Sequence, residues 1–262
     1  MTILDDILEQ RKLDISDLKR NTPIFETQQR KRQPLYDVLI GQHTLQIIAE
    51  VKRASPSKGN INIDVNPIEQ AIMYEKAGAA CISVLTEPHF FKGSYADLHE
   101  VAKNVSIPVL CKDFIVDEIQ MDIAKSAGAS VVLLIVNAVD TDTLTRLFAY
   151  ATSIGLDVLM EVHTVEDLQL AKAIGANIIG VNNRNLKTFD VTLEQTKLIG
   201  DALQNDAVAF ISESGIQSAH DANTASRYGA NALLVGETLM RAEQVEKTLK
   251  SLQVPVTKGA RL

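Results

Sequence analysis

The chain has 262 residues, 46% hydrophobic and 23% charged, with 7 Pro and 13 Gly; that is enough to bury a large core in one large or two small domains, without bias toward disorder. A formal net charge of −7 argues against a phosphodiester-binding surface, so nucleic acid is not an expected partner, although a local cationic pocket for one small anion is compatible with it. No apolar run approaches the ~20 residues of a membrane helix, and Met1-Thr2-Ile3-Leu4-Asp5-Asp6 is too acidic for a signal peptide, so the expectation is a soluble cytoplasmic protein without a membrane partner.

Residues 2–20 carry apolar side chains at Ile3, Leu4, Ile7, Leu8, Leu13, Ile15 and Leu18 among many charges, which predicts an amphipathic helix. Lys31-Arg32-Gln33-Pro34 interrupts, and residues 35–40 form a short second helix that Gly41 ends. Residues 1–44 are therefore an N-terminal helical extension, and 45–262 the main domain.

From residue 45 onward, β-branched runs alternate with helical patterns. Strands are predicted near 45–52, 81–86, 107–112, 130–136, 156–162, 177–182, 207–212 and 231–235. Helices fit near 67–77, 95–104, 117–127, 140–154, 165–174, 191–203, 218–228 and 239–251, with Asn66 before Pro67, Ser94 and Asp190 as caps. Cys81 and Cys111 fall inside apolar runs, where free thiols behave as small hydrophobes; they make no metal-ligand spacing and fit a reducing compartment.

Four segments before strands share one helix exit: Lys76-Ala77-Gly78-Ala79, Ser126-Ala127-Gly128-Ala129, Ala173-Ile174-Gly175-Ala176 and Arg227-Tyr228-Gly229-Ala230. Glycine accepts the left-handed conformation that ends a helix, so each copy turns the chain back toward the sheet. Eight strand–helix units without a GxGxxG or P-loop motif predict an α/β fold, a closed (β/α)8 TIM barrel rather than an open doubly wound sheet.

In such a barrel the site forms at the carboxyl ends of the strands, and the charge here is concentrated at those ends. Period-2 geometry puts Glu50 and Lys52 on one face of the first strand with Ala49 and Val51 on the other, either as a surface salt bridge or as an acid and a base at an active site. Lys112 leaves the third strand, Asn137 the fourth and Glu161 the fifth, Asn182 and Arg184 close the sixth, and Ser212-Glu213-Ser214-Gly215 ends the seventh. Taken singly, Lys112 is an exposed lysine and Glu161 a solvated carboxylate. Together, two lysines and two glutamates converging on one mouth can shift one another's affinity for protons and supply acid–base chemistry without a metal. The five histidines, His43, His89, His99, His163 and His220, have no ligand spacing and are assigned to surface or loops. Ser214-Gly215-Ile216 and Leu234-Val235-Gly236-Glu237-Thr238 follow the last two strands, where barrels hold phosphate; either glycine alone is adequately explained as a turn former.

Four segments closely resemble the signature of the indole-3-glycerol-phosphate synthase family: Glu50-Val51-Lys52-Arg53-Ala54-Ser55-Pro56-Ser57, Cys111-Lys112-Asp113-Phe114-Ile115, Val181-Asn182-Asn183-Arg184-Asn185-Leu186 and Ser212-Glu213-Ser214-Gly215-Ile216. They occur in the family's order, with its helical extension and its Phe91-Lys92-Gly93-Ser94 stretch. Lys12 to Leu18 depart from the family's usual pattern, and Thr238 stands where the family often has Ser.

The resemblance implies conversion of 1-(2-carboxyphenylamino)-1-deoxyribulose 5-phosphate to indole-3-glycerol phosphate, with loss of CO2 and water, in tryptophan biosynthesis. It implies Lys112 as the acid of ring closure, Lys52 on the substrate carboxylate, Glu161 as the base of dehydration, Glu50 and Asn182 as orienting groups, and Arg184 on the anion end. It also places Phe91 and Phe114 as a sandwich around the anthranilate ring. Ser55, Ser214, Gly215, Gly236 and Glu237 complete the candidate substrate-binding set. No cofactor is expected, because decarboxylation restores aromaticity without an electron sink, and the partner is a small phosphorylated substrate met by a monomer or homodimer. Two rivals stay open: another phosphosugar barrel enzyme, such as an isomerase or a Schiff-base aldolase using Lys112, and a non-catalytic barrel that binds a phosphorylated metabolite.

Overall fold

The β-branched runs become eight parallel strands in the computed structural model, which describes residues 2–26, 30–185, 188–203 and 207–257. They are β1 (Gln46–Val51), β2 (Cys81–Leu85), β3 (Val109–Lys112), β4 (Val131–Ile135), β5 (Asp157–Val162), β6 (Ile178–Asn182), β7 (Ala209–Glu213) and β8 (Ala232–Val235). Each pairs with its sequence neighbours, and β8 closes on β1 with Gln46 opposite Ala232 and Ala49 opposite Val235. The helices are α1 (Ile3–Arg20), α2 (Leu35–Leu39), α3 (Pro67–Lys76), α4 (Tyr95–Asn104), α5 (Glu118–Ser126), α6 (Thr141–Ser153), α7 (Val165–Ile174), α8 (Glu194–Leu203), α9 (Ala219–Arg227), α10 (Glu237–Met240) and α11 (Val245–Leu252). The fold is a (β/α)8 TIM barrel with an N-terminal helix.

Strand alternation sorts the core into two layers. Ile48, Cys81, Leu110, Leu133, Leu159, Ile178, Ile211 and Leu234 fill the barrel interior, while Ala49, Ile82, Cys111, Val132, Met160, Ile179, Phe210 and Leu233 face the helices. Each such fully buried Leu or Ile contributes about 1.5–3 kcal/mol of transfer free energy. Both cysteines are free and buried. The four repeated helix exits all place glycine in the left-handed region, with φ of 96°, 98°, 100° and 91° at Gly78, Gly128, Gly175 and Gly229.

The extension covers both ends of the barrel. α1 begins with a capping box between Thr2 and Asp5 and buries Ile7, Leu8 and Arg11. The Arg11 guanidinium, 2% exposed, pairs with Asp113 just after β3 at 2.8 Å and with Asp14 at 2.8 Å. A cation buried this far needs both partners. At the other end, Leu35 and Leu39 of α2 join the interior cluster, and the Leu35 N–H donates to Asp157 Oδ2 at the start of β5, 2.6 Å away.

Two expected elements differ. The helix expected over 239–251 is two helices, α10 and α11. At 3.6 residues per turn one continuous helix would set the buried Leu239 and Met240 opposite the buried Val245, Leu249 and Leu252, so the break lets both groups face the barrel. Asp190 does not cap α8, which starts at Glu194. Its carbonyl instead accepts from the Asn185 N–H at 2.9 Å, and Val191 bridges back to Arg184, extending the loop after β6. Asn66 and Ser94 cap their helices as expected, and Leu186 lies outside the described residues.

Candidate active site

The same alternation that fills the interior with apolar groups brings Glu50, Lys112, Glu161, Asn182 and Glu213 inward at its carboxyl-end layer. Above them opens a cavity of about 760 Å³, within the range for a small-molecule site. Glu50, Lys52, Lys112, Glu161 and Asn182 all line it, as do Ser55, Phe91, Phe114, Arg184, Ser214, Gly215, Gly236 and Glu237. Asn137 does not join them: its amide is spent on Asp167, at 2.9 and 3.0 Å.

Charges in the layer are arranged as pairs. Lys52 Nζ lies 2.6 Å from Glu50 Oε1, and Lys112 Nζ lies 2.5 Å from Glu213 Oε2. The surface-salt-bridge alternative for Glu50 fails, since Glu50 is 3% exposed. Burial would raise the Glu50 carboxyl, but Lys52 and Lys112 outweigh it and hold the group below its usual range. Burial likewise works against the Lys112 ammonium, yet Glu213, Glu50 and Glu161 together hold it well above the ordinary lysine value. Glu213 is pushed up to about 7, chiefly by burial and also by Glu161 and Glu50, against the pull of Lys112.

Two glycines make room for these carboxylates. A Cβ on Gly180 would stand 2.2 Å from Glu213 Oε1, and one on Gly236 would stand 2.4 Å from Glu50 Oε1, so any side chain at either position displaces an acid from the mouth. Asn182 bridges the fifth and sixth strand exits, its amide donating to Glu161 Oε1 at 3.2 Å while its carbonyl oxygen accepts from the Arg184 N–H at 3.0 Å.

The loop after β1 folds into a small hairpin, Ala54–Ser55 against Gly59–Asn60. Arg53 fastens it to Asp97 at 2.5 and 2.9 Å, and Lys92 Nζ donates to Asn60 at 3.0 Å, so the loops that carry Ser55 and Phe91 are tied together. Phe91 and Phe114 differ from the expected sandwich. Their ring centroids are 5.7 Å apart at 35°, which is mutual contact with no space for a third ring, so together they form one aromatic wall.

On the opposite side, Ser214 and Gly215 both adopt positive φ, 67° and 80°. Gly215 is constrained twice, by that φ and by Val191 Cγ1, which a Cβ would approach to 2.5 Å. Thr238 Oγ1 donates to the Ile216 carbonyl at 2.6 Å and clamps the Gly215 loop to the Gly236 loop, a task that needs only a hydroxyl. The Glu237 carboxylate is held by Arg241 at 3.2 Å and Lys58 at 3.5 Å, leaving its backbone as the part suited to an anion.

Several residues escape the strand-exit reading. Glu213, named there only as part of a strand end, is a member of β7 and 1% exposed. Ile3, Leu4 and Ile7 of α1 line the cavity, so the extension forms part of its wall. His163, assigned to surface or loops, lies in the loop just past β5 with its side chain only 20% exposed and Nε2 3.5 Å from Glu161 Oε1; packing of the β5 exit under the Gln195 side chain and Asp167 draws it inward.

Comparison with known proteins follows the same lines. The family model described as indole-3-glycerol phosphate synthase matches residues 4–252. An Oceanobacillus iheyensis protein named indole-3-glycerol phosphate synthase is 49% identical over 256 residues, covering 98% of each chain. One of the same name from Listeria monocytogenes is 50% identical over 257 residues, covering 97% of this chain and 99% of the relative. Among solved structures, a 3-hexulose-6-phosphate synthase superposes with a TM-score of 0.60 at 16% identity over 79% of this chain and 98% of its own, a likeness of fold alone.

Proposed function

The chain belongs to the indole-3-glycerol phosphate synthase family, and from that premise we propose how the mouth of its barrel performs ring closure, decarboxylation and dehydration of 1-(2-carboxyphenylamino)-1-deoxyribulose 5-phosphate. The observation that carries the reading is the buried pair Lys112–Glu213 facing Glu161 and Glu50 across one cavity.

Lys112 is the acid of ring closure. Its three carboxylate neighbours keep it charged in the free enzyme, so a proton is in place when the aromatic carbon attacks and the ketone oxygen gains electron density. Giving up that proton would leave Glu213 without its counterion. Because Glu213 sits at about 7, it accepts a replacement proton near neutral pH, which keeps the buried pair from being stranded with an isolated charge. Lys52, steered by Glu50 at 2.6 Å, grips the substrate carboxylate until CO2 leaves. Glu161, oriented by Asn182, is the base of dehydration. Phe91 and Phe114 present a wall on which the anthranilate ring stacks, and Ile3, Leu4 and Ile7 of the extension exclude water from above. We assign residues 45–262 as the catalytic barrel and 1–44 as the extension that completes its roof and floor.

The phosphate is placed between the Gly215 and Gly236 loops, with Arg184 and Ser214 as further contacts. Gly215→Val is expected to raise KM roughly tenfold or more, the equivalent of one lost charge-assisted hydrogen bond, with a smaller effect on kcat. Steady-state kinetics checks this, and an anion found elsewhere in phosphate-soaked crystals would move the site.

We further read the protein as a cytoplasmic monomer or homodimer that acts on this small phosphorylated molecule and not on nucleic acid. The net charge of −7 supports the last point, and no helix among the described residues is long and apolar enough to cross a membrane. One assay tests the whole reading. Indole fluorescence should appear when purified protein meets the carboxyphenylamino-deoxyribulose phosphate, and its absence with correctly folded protein overturns the assignment.

A further inference from the structure

The face of α1 that roofs the cavity continues into a charged one. Leu4, Ile7, Arg11 and Asp14 follow one another at steps of three, four and three residues, which stacks them along one stripe of the helix. The first two line the cavity, and the last two form an ion pair, with Arg11 Nη1 donating to Asp14 Oδ2 at 2.8 Å. Neither charge has a part in the chemistry assigned above.

The pair reaches both loops that carry the aromatic wall, one with each member. Arg11 Nη2 donates to Asp113 Oδ2 at 2.8 Å, and the other Asp113 oxygen accepts from the Phe114 N–H at 2.8 Å. Asp14 faces the second loop: His89 Nε2 lies 3.1 and 3.2 Å from its two oxygens, and the tautomer with hydrogen on Nε2 donates to it. The His89 N–H in turn donates to Glu87 Oε1 at 2.9 Å, and Glu87 Oε2 accepts from the Phe91 N–H, also at 2.9 Å. A continuous run of hydrogen bonds therefore leads from Phe114 through α1 to Phe91. The two loops also have a direct tie, Thr86 Oγ1 donating to Asp113 Oδ2 at 2.7 Å, so what Arg11 and Asp14 add is the placement of α1. Apolar contact is non-directional and lets a helix slide on its seat, whereas a planar guanidinium and a carboxylate, each bonded to a different loop, set its register and rotation.

We propose that Arg11 and Asp14 are positioning residues for substrate binding: they register α1 on the Phe91 and Phe114 loops, so that Ile3, Leu4 and Ile7 close over the aromatic end of the substrate. This rests on the reading of Phe91 and Phe114 as the wall on which that ring stacks. The ring then lies between wall and roof, while the phosphate is placed at the Gly215 and Gly236 loops, which the Arg11–Asp14 pair does not engage. Stacking and cover act on the ring before and during reaction alike, so loosening the pair weakens binding more than turnover.

Asp14→Ala removes one arm at a side chain that is 18% exposed, where the fold should survive. The chain contains no Trp, so anthranilate fluorescence reports ring binding without that background. In Asp14→Ala the anthranilate Kd should rise about three- to tenfold, the range that the geometry of an aromatic contact controls. The Kd of inorganic phosphate should stay within about twofold, and substrate KM should rise in step with the anthranilate Kd while kcat stays within about twofold. Arg11→Met should show the same split, and Asp14→Ala decides alone if that buried replacement does not fold. A purely structural role predicts that the two probes are unaffected in folded protein or weaken together. An unchanged anthranilate Kd in folded Asp14→Ala, or equal weakening of anthranilate and phosphate, overturns the proposal. Phe114→Leu tests the underlying reading separately. If it leaves the anthranilate Kd unchanged, the wall assignment fails and takes this inference with it; if it raises that Kd and Asp14→Ala does not, the wall stands and only the role of Arg11 and Asp14 falls.

Discussion

Lys112→Met is expected to lower kcat by a factor on the order of 10² or more, the usual scale for a positioned general acid. Methionine keeps the length and apolar stem of lysine but has no proton to give, so KM, which the proposed assignment ties to the Gly215 and Gly236 loops and the aromatic wall, should change less. Stability should respond in a pH-dependent way, because Glu213 is 1% exposed and loses its 2.5 Å partner. Even with Lys112 present, Glu213 is raised above the ordinary carboxylate range to about 7. Between the unfolded value near ~4.3 and the folded value, the native state then holds more protons than the unfolded chain, so stability is fullest at the acidic end and falls as pH rises through the folded value. Removing the Lys112 attraction pushes Glu213 higher still. The Tm deficit of Lys112→Met relative to wild type should therefore be small at pH 5 and larger at pH 8. Thermal unfolding at the two pH values with parallel turnover assays checks both parts; wild-type-like kcat in a folded variant would remove Lys112 from its role.

The barrel was legible in the chain because each strand is a short β-branched run and four helix exits repeat the same glycine. The rim was legible for a related reason: alternation fixes the direction of Glu50, Lys112, Glu161 and Asn182 once the strand ends are placed. What escaped depends on partners distant in sequence. Glu213 sits in a polar Ser-Glu-Ser run that looks like loop, and becomes strand because Gly180 leaves space beside it and Lys112, 101 residues away, neutralises it. Arg11 looks like one more charge on an amphipathic helix, and only the ion pair with Asp113 shows why it is buried. An apolar stripe such as Ile3, Leu4 and Ile7 has the same spacing whether it covers a core or a substrate cavity. Applying the strand-exit rule one residue earlier on β7 and one step later on β5 would have singled out Glu213 and His163.

Glu161→Gln should stall the reaction late. The substitution keeps size and the ability to meet the Asn182 amide, which now donates to Glu161 Oε1 at 3.2 Å, but it removes basicity. In the proposed assignment ring closure depends on Lys112, and decarboxylation on Lys52 releasing the carboxylate; neither then requires Glu161 to accept a proton. The variant should therefore complete both and then accumulate a species that has lost CO2 but is not yet indole, with indole formation slowed on the order of 10²-fold or more. Removing one acid also takes a negative charge away from both Lys112 and Glu213. Glu161 is among the groups that raise each of them, so the Glu213 value should fall in the variant, and the Lys112 ammonium should be held less strongly. That side effect acts on the acid of ring closure and, by weakening the hold on its proton, does not hinder the early step. Rapid-quench analysis with labelled carboxylate separates the stages: a burst of CO2 ahead of indole marks a late block. A block before CO2 release would instead put Glu161 in the ring-closure machinery, and unchanged indole formation would leave the dehydration base to be sought elsewhere on the rim.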